Sequence, residues 1–214
     1  MIAYTGFRGD GKTLSAVAQL KKDFGKNSIF FTNTPLYFDK LRLKHNNNNI
    51  YFYRSLSILE EWYRFAMFNR EVVMQYETIF FIDEAHLLLH AREFKNLSST
   101  MREFLAQSRK INCEIYITAQ SIHKVDKELR TLIEECVRCT RGFLGLYIEQ
   151  ERFALDLEGL PDPAAKTMRS NLWLPKRHFQ NYDTNYIVQT DGSVPPTNPD
   201  FFSTIYAPHN NVVL

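Results

Sequence analysis

Short unbroken runs of apolar residues alternate with longer segments of helical spacing along most of the chain. The runs predict strands at residues 2–5, 28–32, 50–53, 78–82, 114–118 and 136–140, and they are rich in β-branched and aromatic side chains. Periodic segments predict helices that begin near residues 12 and 57 and helices that cover residues 98–109 and 126–135. Regular alternation of strand and helix predicts an α/β fold with a doubly wound, mostly parallel sheet.

The pattern becomes less regular after Gly142. Residues 144–148 and 152–157 predict a hairpin, residues 186–188 predict a short strand, and three prolines near the end predict an extended arm that wraps a neighbouring subunit or stays disordered. We therefore expect a core over residues 1–145. Residues 146–214 form a short β-rich C-terminal extension, packed on that core or on a neighbouring subunit.

Length and composition set limits on the function. The 214 residues suit one α/β domain, and a net charge of +2 gives no general basic surface for nucleic acid. No apolar run approaches the ~18 residues of a membrane span, and the first strand leaves no room for a signal peptide. We expect no transmembrane segment and a location in the cytoplasm. The C-x-x-C pair Cys136 and Cys139 lies in a predicted strand, and we expect buried thiols without a disulfide.

The first strand leads directly into a G-x-x-x-x-G-K-[ST] phosphate-binding loop. Its glycines let successive backbone N–H groups face a phosphate at the start of a helix, Lys12 reaches the β- and γ-phosphates, and the Thr13 hydroxyl ligates Mg²⁺. The residues predicted to contact the nucleotide are Gly6, Arg8, Gly9, Asp10, Gly11, Lys12, Thr13 and Leu14. The loop predicts binding of a nucleoside triphosphate.

A second motif ends the strand at residues 78–82. The apolar run stops at Asp83 and Glu84, which has the form of a Walker B strand. Asp83 at the strand tip can hold the Mg²⁺ shell through water, and Glu84 can take a proton from the water that attacks the γ-phosphate. These two acids predict hydrolysis.

The next strand ends in Thr118-Ala119-Gln120, which places a polar amide at the strand tip. If this strand lies between the two Walker strands, Gln120 senses the γ-phosphate or orients the attacking water. No N-K-x-D motif for reading guanine stands in a suitable loop, which favours ATP over GTP. A dedicated carboxylate such as Glu84 also favours a hydrolase over a kinase.

Together, four segments resemble the FtsK/HerA superfamily of nucleic-acid pumps. They are residues 6–13, 31–33, 81–86, and the stretch from residues 108–110 into residues 117–121. Within it the chain is similar to two viral branches: the zonula-occludens-toxin-like assembly ATPases of filamentous phages, and the genome-packaging ATPases of membrane-containing icosahedral viruses. The resemblance covers about residues 1–145 and implies a P-loop NTPase core with a RecA-like sheet. The phage proteins carry a transmembrane segment after the ATPase domain. A complete chain of this length therefore fits the packaging ATPases better, whereas a truncated chain would fit the phage ATPases better.

The resemblance also implies a homo-oligomeric ring, a hexamer or a pentamer, in which an arginine reaches the neighbouring subunit's γ-phosphate. Arg109 lies at the matching position, with Arg102 and Arg92 as alternatives, and each could equally be a surface charge. The basic residues Lys124, Lys127, Arg130, Arg138 and Arg141 form either a solvated helix face or, in part, the lining of a channel that holds DNA independently of sequence.

Two functions therefore stand at this point. The first is an ATP-driven, Mg²⁺-dependent motor that packages viral DNA and contacts capsid or membrane-vertex proteins, located in the host cytoplasm or associated with the virion. The second is a zonula-occludens-toxin-like ATPase of filamentous-phage assembly and export, in which the nucleotide switches a scaffold and no DNA is threaded. Glu84 favours the first, because a pure switch can do without a catalytic base.

Overall fold

The structure is a computed structural model that describes residues 1–36 except 24 and 26, 50–88 except 54 and 56, 98–173 except 163, and 200–206. Its strands are β1 (Ile2–Thr5), β2 (Ser28–Thr32), β3 (Ile50–Phe52), β4 (Glu77–Ile82), β5 (Cys113–Ala119), β6 (Glu135–Arg141), β7 (Tyr147–Ala154) and β8 (Met168–Trp173). Its α-helices are α1 (Lys12–Asp23), α2 (Ser57–Phe68), α3 (Arg70–Val73), α4 (Ala85–Leu88), α5 (Ser99–Gln107), α6 (Lys127–Arg130) and α7 (Phe201–Ile205). None of the helices in these ranges has the length and apolar composition needed to cross a membrane.

The strands form one sheet in the order β3-β2-β4-β5-β1-β6-β7-β8. Every pair from β3 to β6 is parallel, and β7 and β8 are antiparallel additions at one side. The predicted α/β fold with a mostly parallel sheet is confirmed. β5 lies between β4 and β1, so Gln120 follows the strand that separates the two Walker motifs.

Two apolar cores cover the two faces of the sheet. On one face α2 and α5 contribute Trp62 and Phe104, whose rings meet Phe80 of β4 with centroids 5.4 and 5.8 Å away. On the other face α1 packs Leu14 and Val17 in the same core as Phe81. Residues 79–82 of β4 thus alternate between two apolar surroundings, which explains why all four are apolar.

Two local predictions were wrong. Residues 144–148 and 152–157 do not form a hairpin. A single strand, β7, continues through the position of the predicted turn and pairs with β6 on one side and β8 on the other. Residues 149–151, which separate the two predicted strands, lie inside β7, where Glu151 pairs with Arg138 of β6 and Arg169 of β8; these cross-strand ion pairs favour an extended segment. The helix expected at residues 126–135 is a single turn, α6, whose N-cap Asp126 accepts from the Glu128 N–H at 2.7 Å. Residues 186–188 and the proline-containing arm lie outside the described residues.

Helix α7 is joined to the core by a buried hydroxyl. Tyr206 directly follows α7 and is only 1% exposed. Its hydroxyl accepts a hydrogen bond from Trp62 Nε1 at 2.5 Å and lies 2.7 Å from Thr78 Oγ1. Residues more than 120 positions apart are therefore connected by one polar group inside an aromatic core.

Replacing Tyr206 with Phe should destabilise the protein measurably. The variant keeps the ring but leaves the Trp62 N–H buried without an acceptor, which typically costs about 1–3 kcal/mol. Urea unfolding followed by tryptophan fluorescence measures the loss. Tyr147→Phe, at a partly exposed ring, is the matched control and should change stability by less than about 0.5 kcal/mol. Equal losses in the two variants would contradict the proposed role of the Tyr206 hydroxyl.

Candidate nucleotide-binding site

The segment between β1 and α1 forms a tight phosphate-type loop. The backbone φ angles of Gly9 and Gly11 are 87° and 80°, which lie in the left-handed region, and that of Gly6 is 151°. A Cβ at Gly6 would lie 2.5 Å from the Cys139 carbonyl oxygen, and one at Gly11 would lie 2.1 Å from Ile148 Cδ1. The loop is thus held against β6 and β7. At Gly6 a side chain would meet a fixed backbone oxygen, and at Gly11 the left-handed φ itself disfavours a side chain.

Lys12 begins helix α1 and is largely buried, at 5% exposure. Its ammonium group donates to the Phe7 carbonyl of its own loop at 3.3 Å, so the positive charge lies over the ring of backbone groups. The loop is closed by the Phe7 N–H, which donates to Asp10 Oδ2 at 2.8 Å. Backbone N–H groups, a helix N-terminus and a buried ammonium together favour an anion at this position.

Asp83 accepts hydrogen bonds from three threonine hydroxyls. Thr13 and Thr118 donate to Oδ1 at 2.9 and 2.6 Å, and Thr34 donates to Oδ2 at 3.2 Å. The side chain of Asn33 holds the Asp83 backbone, accepting from its N–H at 2.7 Å and donating to its carbonyl at 3.0 Å. The two Walker motifs are therefore in direct contact.

These oxygens fit Mg²⁺. A hydroxyl and a carboxylate lie 2.9 Å apart beside the phosphate loop, and Mg²⁺ prefers oxygen ligands, usually one or two carboxylates plus substrate phosphates. The described part of the chain holds no cluster of three or more His, Cys, Asp or Glu side chains placed to bind a metal. One hydroxyl and one carboxylate leave the other coordination positions to water and phosphate oxygens, which suits an ion that enters with a nucleotide.

Glu84 follows Asp83 with a backbone φ of 50°, in the left-handed region. A non-glycine residue there costs about 1–2 kcal/mol, and such strain persists where the surroundings fix it. The Glu84 N–H donates to Thr118 Oγ1 at 2.8 Å, and the carboxylate oxygen Oε2 lies 3.2 Å from His86 Nδ1. Thr118 thus uses one hydroxyl to hold both acidic residues.

The pKa of Glu84 is raised above its ordinary value. Burial is the main cause and the neighbouring Asp83 charge adds to it, while the positive charges of Lys12, Lys124 and Arg8 oppose it. Lys12 and Arg8 belong to the phosphate loop. The carboxylate therefore lies within the electrostatic reach of the loop, and its higher pKa makes it a stronger base than a solvent-exposed glutamate.

Gln120 is partly exposed at the end of β5, where its Oε1 accepts from the Lys124 ammonium at 2.6 Å. An ammonium group only donates, so the atom that faces Lys124 must be the amide oxygen. The amide nitrogen, with its two N–H donors, is left for other partners.

The arginines predicted to act across subunits are not grouped at this edge. Arg109 is 75% exposed and pairs with Glu134 at 2.8 Å, at the amino ends of the parallel strands and opposite the phosphate loop. Arg102 is exposed on α5, and Arg92 lies outside the described residues. Arg138 pairs with Glu151 and covers the Phe153 ring, and Arg130 lies near His123. The basic region therefore does not form one helix face.

Five residues of the site carried no predicted role at the nucleotide: Asn33, Thr34, His86, Thr118 and Lys124. Asn33, His86 and Thr118 belong to the segments that carry the family resemblance, so that signal was available. The contact of Thr34 with Asp83 joins residues 49 positions apart and depends on how β2 and β4 align, which the local sequence does not reveal. The sequence placed Lys124 only in the basic region. Its hydrogen bond to Gln120 depends on the short turn after β5, which brings the two residues together.

Comparison with solved structures finds the same architecture in viral ATPases and related proteins. The chain is similar to the N-terminal domain of zonular occludens toxin from Neisseria meningitidis, with 18% sequence identity and a TM-score of 0.53, over 85% of this chain and 97% of that chain. It is also similar to the genome packaging NTPase B204 from Sulfolobus turreted icosahedral virus 2 in complex with ATP-gammaS, at 11% identity and a TM-score of 0.51, over 78% of this chain and 95% of that chain. B204 from Sulfolobus turreted icosahedral virus, described as a DNA-packaging ATPase, matches at 12% identity and a TM-score of 0.50, over 80% and 95% of the two chains.

These matches confirm the P-loop ATPase fold, and both viral branches indicated by the sequence motifs are among the similar proteins. A search of curated proteins finds no match to the sequence. A sequence model of the zonular occludens toxin (Zot) family, in contrast, matches residues 1–188. Because that match covers most of the 214 residues, the chain belongs to the zonular occludens toxin (Zot) family.

Proposed function

We propose that the protein is a Mg²⁺-dependent ATPase that works as a ring of identical subunits and moves viral DNA during virion assembly, independently of DNA sequence. The observation that carries the proposal is the position of Glu84. Its carboxylate has a raised pKa and lies next to Asp83 and within the electrostatic reach of Lys12. A basic carboxylate at a phosphate loop is what hydrolysis of a nucleoside triphosphate needs.

Substrate binding is assigned to the phosphate loop. The Lys12 ammonium, which here donates to the Phe7 carbonyl, exchanges that weak partner for the β- and γ-phosphates of ATP. Arg8 is exposed in the same loop and adds positive charge. Thr13 and Asp83 would hold Mg²⁺, which neutralises phosphate charge when it is bound. Backbone N–H groups from Gly9 to Thr13 supply the remaining contacts.

Glu84 is the proposed general base. It takes a proton from the attacking water, and its backbone is held in a left-handed conformation with a φ of 50°. Thr118 fixes the backbone of Glu84, and His86 contacts the carboxylate oxygen Oε2. Asp83 and Glu84 are adjacent in sequence, and these separate contacts keep their two roles apart.

Gln120 is proposed to sense the γ-phosphate. The Lys124 ammonium donates to the amide oxygen of Gln120, so the amide N–H groups are directed elsewhere. N–H groups can donate to a phosphate oxygen. Orienting a water for attack would instead need the amide oxygen as an acceptor. The hydrogen bond therefore favours the first of the two roles that the sequence allowed for Gln120.

The family match supports a second function. Membership of the Zot family favours assembly and export of filamentous phage over packaging into an icosahedral capsid, and there the nucleotide could act as an assembly switch without threading DNA. Capsid or membrane-vertex partners, and a location in the host cytoplasm, stay predictions. Both functions use the same phosphate loop, and they differ in whether DNA changes the rate of hydrolysis.

The Glu84→Gln variant should bind ATP and fail to hydrolyse it. The amide keeps the size of the side chain but removes the base, and turnover should fall about a hundredfold or more. Binding of a fluorescent ATP analogue and release of phosphate measure the two effects separately. Glu114→Gln, on β5 at an exposed position, is a matched control and should leave both unchanged. Hydrolysis at the parent rate by Glu84→Gln would show that another group is the base.

DNA should stimulate hydrolysis if the protein is a motor. A nearly neutral chain presents only a few Lys or Arg residues per subunit, so tight binding should need several subunits and should weaken steeply as salt rises. We would measure phosphate release against protein concentration, with and without single- or double-stranded DNA, at low and moderate salt. If the rate of phosphate release does not change with DNA in a preparation that does oligomerise, the DNA motor is rejected and the assembly switch remains.

Removing the ammonium of Lys124 should weaken the preference for ATP over ADP. In Lys124→Met the amide of Gln120 is free to rotate, and the loss of one net hydrogen bond of about 1 kcal/mol to the γ-phosphate should lower that preference about fivefold. Lys124→Arg keeps a donor and should restore it. Lys127→Met removes the same charge three residues away and should have little effect. Equal losses in the two methionine variants would indicate a general charge effect and reject the positioning role of Lys124.

A further inference from the structure

Large apolar side chains are exposed beside the phosphate loop, in the turn between β6 and β7 and at the end of β8. Phe143, Leu144 and Leu146 of the turn and Trp173 of β8 are each more than half exposed. The Trp173 ring meets Tyr147 of β7, with ring centroids 5.3 Å apart. We call these five residues the turn surface. An exposed apolar surface of this kind commonly marks an interaction site.

The backbone of the turn is fixed around these side chains. The Gly142 N–H donates to the Tyr147 carbonyl at 2.9 Å, and the Leu146 N–H donates to the Phe143 carbonyl at 3.2 Å. The Tyr147 ring packs on Gly142, at the place where any other residue would carry its Cβ. Leu144 has a φ of 52°, a left-handed conformation that disfavours leucine. Backbone strain of this kind clusters at ligand sites.

The turn extends beyond the phosphate loop at the carboxyl edge of the sheet. Thr5, the last residue of β1, pairs with Arg138, and β6 continues three residues further to Arg141. At the usual rise per residue of a strand, three residues add about 10 Å. The side chain of Ile148, the second residue of β7, lies against Gly11 of the loop. The turn surface is therefore next to the loop, on its β6 side.

The order of the strands gives the direction of the bound nucleotide, and this step rests on the proposed binding of ATP. The groups proposed for Mg²⁺ and the γ-phosphate are Asp83, Glu84 and Gln120, at the ends of β4 and β5. Both strands lie on one side of β1, whereas β6 and β7 lie on the other. A triphosphate that crosses the loop with its γ-phosphate toward β4 therefore directs its ribose and base toward the turn surface.

We propose that the turn surface binds the base of the nucleotide, and that the exposed rings of Phe143 and Trp173 stack on it. Aromatic side chains bind a base by covering its flat faces. Nucleotide and cofactor sites combine such apolar surfaces with a few polar groups for the charged end of the ligand. Here the charged end belongs to the phosphate loop. A protein could also cover an apolar surface, but the contact between the turn and the loop through Ile148 favours the nucleotide.

Recognition by this surface is based on the area of the base. The exposed side chains of the turn are a phenyl ring and two leucines, which carry no hydrogen-bonding group that could read the edge of a base. A purine presents a larger face than a pyrimidine and buries more area on the same rings. ATP-gammaS should therefore bind more tightly than a cytidine triphosphate, although the two triphosphate groups are equivalent.

Inorganic tripolyphosphate separates the base from the phosphates as a source of affinity. We would measure binding of ATP-gammaS and of tripolyphosphate, both with Mg²⁺, by isothermal titration calorimetry. Phe143→Ala and Trp173→Ala should each weaken ATP-gammaS about tenfold and leave tripolyphosphate unchanged, because only the first ligand has a base. Trp173→Phe keeps a ring and should recover most of the affinity. Phe68→Ala removes a 90% exposed ring at the end of α2 and should affect neither ligand.

Tryptophan fluorescence gives a second measurement. The chain has two tryptophans, of which Trp62 is fully buried and Trp173 is 63% exposed, so acrylamide should quench mainly Trp173. A base stacked on Trp173 should protect it from acrylamide. Saturating ATP-gammaS should therefore reduce the quenching, whereas saturating tripolyphosphate should not. Trp173→Phe should remove this ligand-dependent change.

Several outcomes would overturn the proposal. Equal losses of affinity for ATP-gammaS and tripolyphosphate in the alanine variants would show that the turn only supports the phosphate loop. Full affinity for ATP-gammaS in both variants, without protection of Trp173, would place the base elsewhere and leave the turn surface to a protein partner. A wild-type chain that binds neither ligand would reject the proposed function itself. Circular dichroism of each variant establishes that its fold is intact.

Discussion

The site depends on supplying hydrogen bonds to a nearly buried carboxylate, Asp83, at the end of β4. A carboxylate removed from water is stable only when hydrogen bonds replace its hydration, and Asp83 receives three from threonine hydroxyls. Those hydroxyls come from the ends of β2 and β5 and from the start of α1. Because β5 lies between β1 and β4, Thr118 can reach Asp83 from one side while Thr13 approaches from the phosphate loop. The hydrogen bonds to Asp83 therefore require this order of strands.

The second acid has a different environment although it is the next residue. Burial and the Asp83 charge both disfavour the ionised form of Glu84, and nearby cations only partly offset them. The Glu84 backbone is left-handed, and the Thr118 hydroxyl contacts both residues: it accepts from the Glu84 N–H and donates to the Asp83 carboxylate. Adjacent acids can therefore divide their labour: Asp83 is held by three hydroxyl donors, and Glu84 has the raised pKa that suits a base.

Local motifs were predicted from the sequence and long-range contacts were not. The phosphate loop, the Walker B strand and the parallel strands follow from spacing within a few residues, so they could be located directly. Thr34 and Asn33 meet Asp83 only because β2 and β4 align in one register. The length of β7 was missed because its glutamates acquire partners on two other strands. Arg109 precedes β5, so it lies at the edge opposite the nucleotide site of its own chain, which its sequence distance from Gln120 did not indicate.

The antiparallel strands after the parallel core have a direct connection to the phosphate loop. Gly6 lies against the Cys139 carbonyl of β6 and Gly11 against the Ile148 side chain of β7, with no room for even one added carbon atom. The loop can therefore keep its shape only while these two strands hold theirs. Tightly packed contacts of this kind transmit small displacements, because packed groups change between discrete arrangements and do not deform continuously. A partner bound to the turn between β6 and β7 would act on the phosphate loop through Ile148, and a change in the loop would act on the partner through the same side chain.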